Sequence, residues 1–243
     1  AFATDDAADI HAKNTIALDR LEAGLNRMIG DGANVIATTG SFGEFHTLLP
    51  DEYETLVRSA AEINNGRVPL FAGATGLNTR DVLQKCALVA DTSATGVLIG
   101  APFYFPSSPA NAVRFFQDVA ENFPSLAIMV YHNPALHNVN LTLPVMEEIL
   151  KIPTVVAMKD SHRSPPEFMR LMDMARGRMS VFVNQLQYAA FQPLGAPGFW
   201  SIDSWMGPWP LLALRDAMAR GDLARATELT LALSPPVGAP PPP

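Results

Sequence analysis

Val155-Val156-Ala157-Met158-Lys159-Asp160 is a short apolar run that ends on a lysine and an aspartate, and a helical pattern, Pro166–Arg176, follows it. The run is too short for a helix and continuous rather than alternating, as expected of a parallel strand covered on both faces. Further runs of this kind lie on either side: Val35–Thr38, Val68–Phe71, Gly96–Ile99, Ala127–Tyr131, Ser180–Val183 and Gly198–Ser201. Amphipathic stretches separate them. Pro50–Ile63 places Tyr53, Leu56, Val57 and Ala60 at helical spacing, and Ser108–Asn122 does the same with Val113, Phe116 and Val119. Pro144–Leu150 and Pro166–Arg176 each begin with a proline near the first turn, where its missing N–H costs nothing. Strand and helix in alternation predict a parallel α/β architecture.

The runs number seven, and a closed barrel of this type needs eight in roughly 250 residues. The chain has 243 residues and begins with a loop-like stretch followed by a helical pattern, Leu18–Ile29. The expected fold is therefore a (β/α)8 TIM barrel lacking its first strand. A doubly wound open sheet is the alternative, but no strand is followed by the Gly-x-Gly-x-x-Gly turn of a dinucleotide site. Residues 1–234 are expected to form the one barrel domain. The tail at 235–243 is proline-rich, cannot continue a helix, and is expected to be extended.

Composition narrows the function. Hydrophobic residues make up 48% and charged residues 17%, as in a folded globular chain rather than a disordered one. A net charge of −7 argues against a nucleic-acid partner, which needs a basic surface. No apolar run approaches the ~20 residues of a membrane span. The amino terminus, Ala-Phe-Ala-Thr-Asp-Asp, lacks the basic and apolar regions of a signal peptide. The one cysteine, Cys86, has no internal disulfide partner and falls in a helical pattern, Arg80–Ala90. A cytoplasmic protein with a small-molecule substrate is expected, with no membrane partner.

In such barrels the active site lies at the carboxyl ends of the strands. Lys159 ends an apolar strand there. Desolvation would disfavour its ammonium form and expose a neutral amine, which condenses with ketones to give an iminium electron sink. From position alone, a lysine paired with Asp160 and facing solvent is the favoured reading. Tyr131 ends another strand, either as a proton relay or as a core tyrosine. Gly40-Ser41-Phe42-Gly43 is a glycine-flanked turn whose N–H groups, with the Ser41 hydroxyl, would suit a carboxylate. The histidines His11, His46, His132, His137 and His162 show no tight metal-ligand spacing, so no metal is expected.

Together these segments resemble the dihydrodipicolinate synthase / N-acetylneuraminate lyase superfamily of class I pyruvate aldolases. The resemblance rests on the Gly40–Glu44 turn, Tyr131-His132-Asn133-Pro134, Met158-Lys159-Asp160 and the helix start at Gly221-Asp222, and it covers nearly the whole chain. Within the superfamily the chain is most similar to the hydratase-aldolases of aromatic-compound degradation. These act on trans-o-hydroxybenzylidenepyruvate or trans-2'-carboxybenzalpyruvate. The turn is Gly-Ser-Phe-Gly-Glu where synthases and lyases usually carry Gly-Thr-Thr-Gly-Glu. Gly66-Arg67-Val68-Pro69-Leu70-Phe71-Ala72-Gly73, Leu77-Asn78-Thr79-Arg80, Phe199-Trp200-Ser201 and Met206-Gly207-Pro208 are also similar to that subgroup.

The resemblance implies a Schiff base on Lys159 with no cofactor and no metal. It implies Tyr131 as proton relay and Asn133 as a residue positioning the imine or a water. Ser41, Phe42 and Gly43 would bind the pyruvyl carboxylate. Phe42, Trp200 and Trp205 would line an aryl pocket, and His137, His162, Arg163 or Asn184 would face a ring substituent. Tyr104 falls where the synthases place a tyrosine that reaches a neighbouring subunit, and a homo-oligomer, a tetramer, is implied. A shortened C-terminal helical region is implied as well. Two departures argue against aspartate semialdehyde as substrate: Phe42 replaces a threonine hydroxyl, and Ala135-Leu136-His137-Asn138 carries no arginine. The competing classes are another pyruvate aldolase, acting on a sugar acid or keto-deoxy acid, a non-catalytic relative, and a divalent-metal lyase.

Overall fold

The computed structural model describes residues 2–234, so the proline-rich tail at 235–243 lies outside the described residues. Helix α1 (Leu18–Gly30) leads into strand β1 (Ile36–Thr38), α2 (Pro50–Asn64), β2 (Leu70–Gly73), α3 (Thr79–Ala90), β3 (Gly96–Ile99) and α4 (Pro109–Asn122). Strand β4 (Ala127–His132) follows, then the single turn α5 (Pro134–His137), α6 (Leu143–Ile149), β5 (Val155–Asp160), α7 (Pro165–Ala175) and β6 (Ser180–Asn184). The chain continues through α8 (Tyr188–Phe191), β7 (Phe199–Trp200), α9 (Trp209–Ala219) and α10 (Leu223–Leu233). Among the described residues no helix is long and apolar enough to cross a membrane.

The strands form one parallel sheet of seven, and their spatial order is their chain order. A doubly wound sheet would reverse order at a switch point. The uninterrupted order is that of a (β/α)8 barrel, here with seven of its strands and with β1 and β7 as the two edges. The strand boundaries differ from expectation for physical reasons. Pro69 has no N–H to give the ladder, so β2 begins at Leu70 rather than Val68. Strands β4 and β5 run further than their apolar residues do, because Tyr131 pairs with Lys159 and His132 with Asp160. Lys159 is thus a strand residue, not one that follows a strand.

Because side chains alternate across a strand, each strand feeds two cores. Phe71, Leu98, Met129, Tyr131 and Ala157 face inward and pack together, with Phe182 and Trp200 against them. Val97, Ile99, Ile128, Val130, Met158, Val181 and Val183 face outward, into a larger core shared with Phe116, Phe168 and Leu171 of the helices. The helix starts are set locally. Asn78, Ser108 and Asp222 each accept a backbone N–H three residues on, at 3.0, 3.2 and 3.0 Å. Before α2, Glu52 reaches back to the Leu49 N–H at 3.0 Å. Caps of this kind contribute about 1 kcal/mol each.

Two glycines of the sheet are required by a close approach of backbone, Gly96 against the Ala127 carbonyl and Gly73 beside the site. A Cβ on Gly73 would collide with the backbone carbonyl of Thr39, where the chain leaves β1. Backbone cannot step aside as a side chain tip can. Gly73→Ala is expected to cost about 1–3 kcal/mol of unfolding free energy. A denaturant midpoint unchanged from that of the unaltered chain would show that β2 relaxes instead.

Candidate active site

The pairing of β4 with β5 brings the chemistry together. Tyr131 and Lys159 are register partners on adjacent strands, and both turn inward. The Lys159 amine lies 3.9 Å from the centre of the Tyr131 ring and 2.8 Å from that of Trp200. The residue is only 8% exposed. Among the described residues no carboxylate pairs with it, because Asp160 points to the opposite face and binds His132 and Arg163. The solvent-facing Lys159–Asp160 pair therefore does not form.

Burial pushes the Lys159 pKa down to about 6. Aromatic faces favour an ammonium by about 0.5–2 kcal/mol. A fall from 10.5 to about 6 corresponds to roughly 6 kcal/mol against the charged form, so burial outweighs the rings. The amine is mostly neutral at neutral pH, as a nucleophile requires.

Tyr131 carries the link to the β1 turn. Its hydroxyl lies 3.1 Å from the Ser41 hydroxyl. Ser41–Gly43 is a single 3-10 turn bracketed by two left-handed residues, Thr39 at φ 47° and Glu44 at φ 55°. A β-branched residue is rarely found there, and such strain costs about 1–3 kcal/mol. Thr39 is held in place by its hydroxyl, which donates to the Gly73 carbonyl at 2.9 Å. Within the turn the Gly43 N–H donates back to Gly40 at 2.9 Å. The N–H groups of Ser41 and Phe42 open the turn and have no carbonyl partner within it. The donors at the start of the turn are thus those of Ser41 and Phe42, while that of Gly43 is used inside it.

A cavity of about 940 Å³ opens at this turn. Ser41, Phe42, Leu98, Met129, Lys159 and Trp200 are among its walls, and it continues between β1 and β7 toward α1 and α9. The Trp200 indole N–H is buried without a partner among the described residues. An orphaned donor next to a neutral amine is a feature of a ligand site rather than of a finished core.

The other expected residues fall out differently. Phe42 is 72% exposed and sits at the cavity rim. Asn133 caps the single turn α5, its carboxamide oxygen accepting the Leu136 N–H at 3.3 Å, and does not line the cavity. Helix α5 begins at Pro134, one residue later, and Asn133 is its N-cap. Tyr104 is exposed, stacks edge-on against Phe105 at 4.9 Å, and borders a separate groove beside Leu77 and Arg114. Arg163 is buried in its ion pair with Asp160 and is unavailable to a ring substituent. The Trp205 side chain lies outside the described residues. His132, His137 and His162 do not converge: His132 and His162 are 6.1 Å apart, whereas His137 packs on the Tyr131 ring at 4.9 Å.

His137 is a residue whose place the sequence did not disclose. Burial pushes its pKa down to about 4, so it is neutral against Tyr131. Gly100 makes room for it, since a Cβ there would strike the imidazole ring. Leu98, Met129 and Phe182 were also missed as cavity walls. Their signal was the inward position on each apolar run, which alternation alone could have supplied.

Comparison with known proteins agrees with this architecture. The family model for the dihydrodipicolinate synthetase family matches residues 7–236. A trans-o-hydroxybenzylidenepyruvate hydratase-aldolase of Pseudomonas putida is 33% identical over 93% of this chain and 70% of its own length. A trans-2'-carboxybenzalpyruvate hydratase-aldolase of Nocardioides sp. (strain KP7) is 30% identical over 91% of this chain and 69% of its own. A solved structure, PhdJ bound to a substrate intermediate, superposes with a TM-score of 0.89 at 31% identity, covering 94% of this chain and 72% of that one.

The lysine's environment makes its titration measurable. Acylation of Lys159 by an amine-directed reagent, mapped by peptide digestion, is expected to reach half its maximal rate near pH 6 and to level off above it. A rate still climbing at pH 9, as for an ordinary lysine, would contradict a desolvated neutral amine.

Proposed function

The chain belongs to the dihydrodipicolinate synthetase family, a family of pyruvate aldolases, and we propose that it is a class I hydratase-aldolase cleaving an arylidene-pyruvate to an aromatic aldehyde and pyruvate. The observation that carries this is the buried, neutral Lys159 amine held against Tyr131 and Trp200, with Tyr131 in hydrogen-bond reach of Ser41. The aryl preference is supported by the apolar walls Leu98, Met129 and Trp200 and by the two hydratase-aldolase relatives. It is supported too by the lack of any arginine in Ala135-Leu136-His137-Asn138 to take a second carboxylate.

In this reading the Ser41 hydroxyl and the N–H groups opening its turn hold the pyruvyl carboxylate. The Lys159 nitrogen attacks the ketone carbon, and loss of water leaves an iminium. The iminium draws electrons from the conjugated double bond, so that water adds at the benzylic carbon and the adjacent carbon is protonated. Tyr131, linked to Ser41, gives its phenolic proton to the hydroxyl that leaves as water when the iminium forms, and the resulting phenolate then takes the proton of the new hydroxyl. The carbon–carbon bond then breaks, the aldehyde leaves, and its electron pair returns to the nitrogen as an enamine. Protonation of the enamine and hydrolysis of the iminium release pyruvate and free lysine. One water is consumed overall, and the lysine supplies the electron sink without a cofactor.

Purified protein is expected to consume o-hydroxy- or o-carboxybenzylidenepyruvate and to release aldehyde and pyruvate in equal amounts. Lys159→Ala is expected to abolish this with an unchanged circular dichroism spectrum. Tyr131→Phe should lower turnover by about 10²–10⁴-fold, the usual contribution of a positioned proton-transfer group. Turnover of keto-deoxy sugar acids or aspartate semialdehyde with none of the aryl substrates would contradict the aryl assignment. Full turnover by Lys159→Ala would contradict the mechanism.

A further inference from the structure

The residues that follow Tyr131 and Lys159 on their strands point away from the cavity. They are His132 and Asp160, also register partners across β4 and β5. With Arg163 they form a buried polar cluster, at 3%, 2% and 7% exposure. The Asp160 carboxylate accepts from Arg163 Nε at 2.7 Å and from the His162 N–H at 3.0 Å, and His132 Nδ1 lies 3.1 Å from it.

The hydrogen bonds fix the state of His132. Its Nε2 is 3.3 Å from the Leu141 N–H, which can only donate. A ring nitrogen that accepts carries no proton, so His132 is neutral, with its proton on Nδ1 and donated to Asp160. Burial alone would push the Asp160 pKa up, but the bond from His132 and the positive charge of Arg163 hold it below its ordinary value. The carboxylate is ionised and paired. Arg163 also donates to the Leu141 carbonyl, closing a ring from β4 to β5, to the turn after β5, to the segment before α6 and back to β4.

This ring occupies a particular place. A one-residue slip between β4 and β5 would turn Lys159 from the cavity to the helix layer. An apolar pair would fill the same volume, but it would not require one register; a hydrogen-bonded charge pair does. We propose that the His132–Asp160–Arg163 cluster is the positioning device of the Lys159 site, locking the ends of β4 and β5 so that the amine is held against the Tyr131 ring at the cavity wall. None of the three touches the reacting atoms. The inference rests on the reading of Lys159 as the nucleophile.

The test is the rate at which borohydride traps a pyruvate adduct, followed by intact mass over a range of pyruvate concentrations. His132→Leu removes the donor to Asp160 and leaves the Asp160–Arg163 pair. His132→Asn keeps an N–H donor near the Nδ1 position. His132→Leu is expected to lower the plateau trapping rate about 10- to 100-fold, the effect of misplacing a reacting group by about an ångström. The pyruvate concentration giving half the plateau should change less than about twofold, since the carboxylate turn is untouched, and His132→Asn should recover most of the rate. If His132→Leu does not fold, Arg163→Lys reads the same quantity, keeping the charge but losing the fork that spans Asp160 and Leu141. A folded variant trapping at the unaltered rate, or equal losses in His132→Leu and His132→Asn, would overturn the positioning role alone. Absence of any adduct in the unaltered protein would instead overturn the reading of Lys159, and the inference with it.

Discussion

The site depends on keeping one lysine amine out of water at the end of a parallel strand. Burial sets the protonation state of Lys159. It follows from packing that is in itself unremarkable: the Tyr131 ring on one side, the Trp200 ring on the other, and Phe71, Leu98 and Met129 around the same inner face. The amine need not be brought to a base, because its environment has already removed the cost of deprotonation. Each neighbour also faces a second task. Tyr131 reaches Ser41, and Trp200 holds an unpartnered indole N–H beside the amine.

The backbone makes concessions around this arrangement. Thr39 takes a left-handed conformation that a β-branched residue resists, and Gly73 gives up its side chain to let the Thr39 carbonyl approach. Gly100 does the same for the His137 ring, which braces Tyr131. On the far side of β4 and β5, Asp160 is satisfied by Arg163, His132 and the His162 N–H, so the sheet carries a compensated polar layer directly behind its reactive one. Strained turn, glycine contacts and buried ion pair lie on three sides of the same two strand ends, and each restricts where Tyr131 and Lys159 can be.

Much of the architecture was legible because parallel strands between helices leave a plain trace. The apolar runs around Val97, Val130 and Met158 could be read as two-faced strands, and their order with the intervening helical stretches pointed to a barrel. Strand ends were less legible, since a ladder follows hydrogen bonding rather than hydrophobicity; His132 and Asp160 are polar and still belong to β4 and β5. Lys159, Tyr131, Ser41 and Trp200 could be singled out from strand ends and family likeness, and they do meet in space. Asn133 could not be assigned in that way. Its position before Pro134 makes it a helix cap, and a cap and a catalytic amide look identical in a sequence. The ring through Leu141 was invisible for a different reason: it is closed by the backbone N–H and carbonyl of a residue whose own side chain is apolar.

The central claim is that Lys159 is the covalent nucleophile, and the most direct measurement is the site of attachment of a trapped adduct. The unaltered protein would be incubated with pyruvate, reduced with borohydride and digested, and the modified peptide sequenced by mass spectrometry. The account predicts one reduced pyruvyl group, carried on Lys159 within the Val155–Asp160 strand. An adduct on any other lysine, such as the solvent-accessible Lys151, or none in protein of native fold, would contradict it.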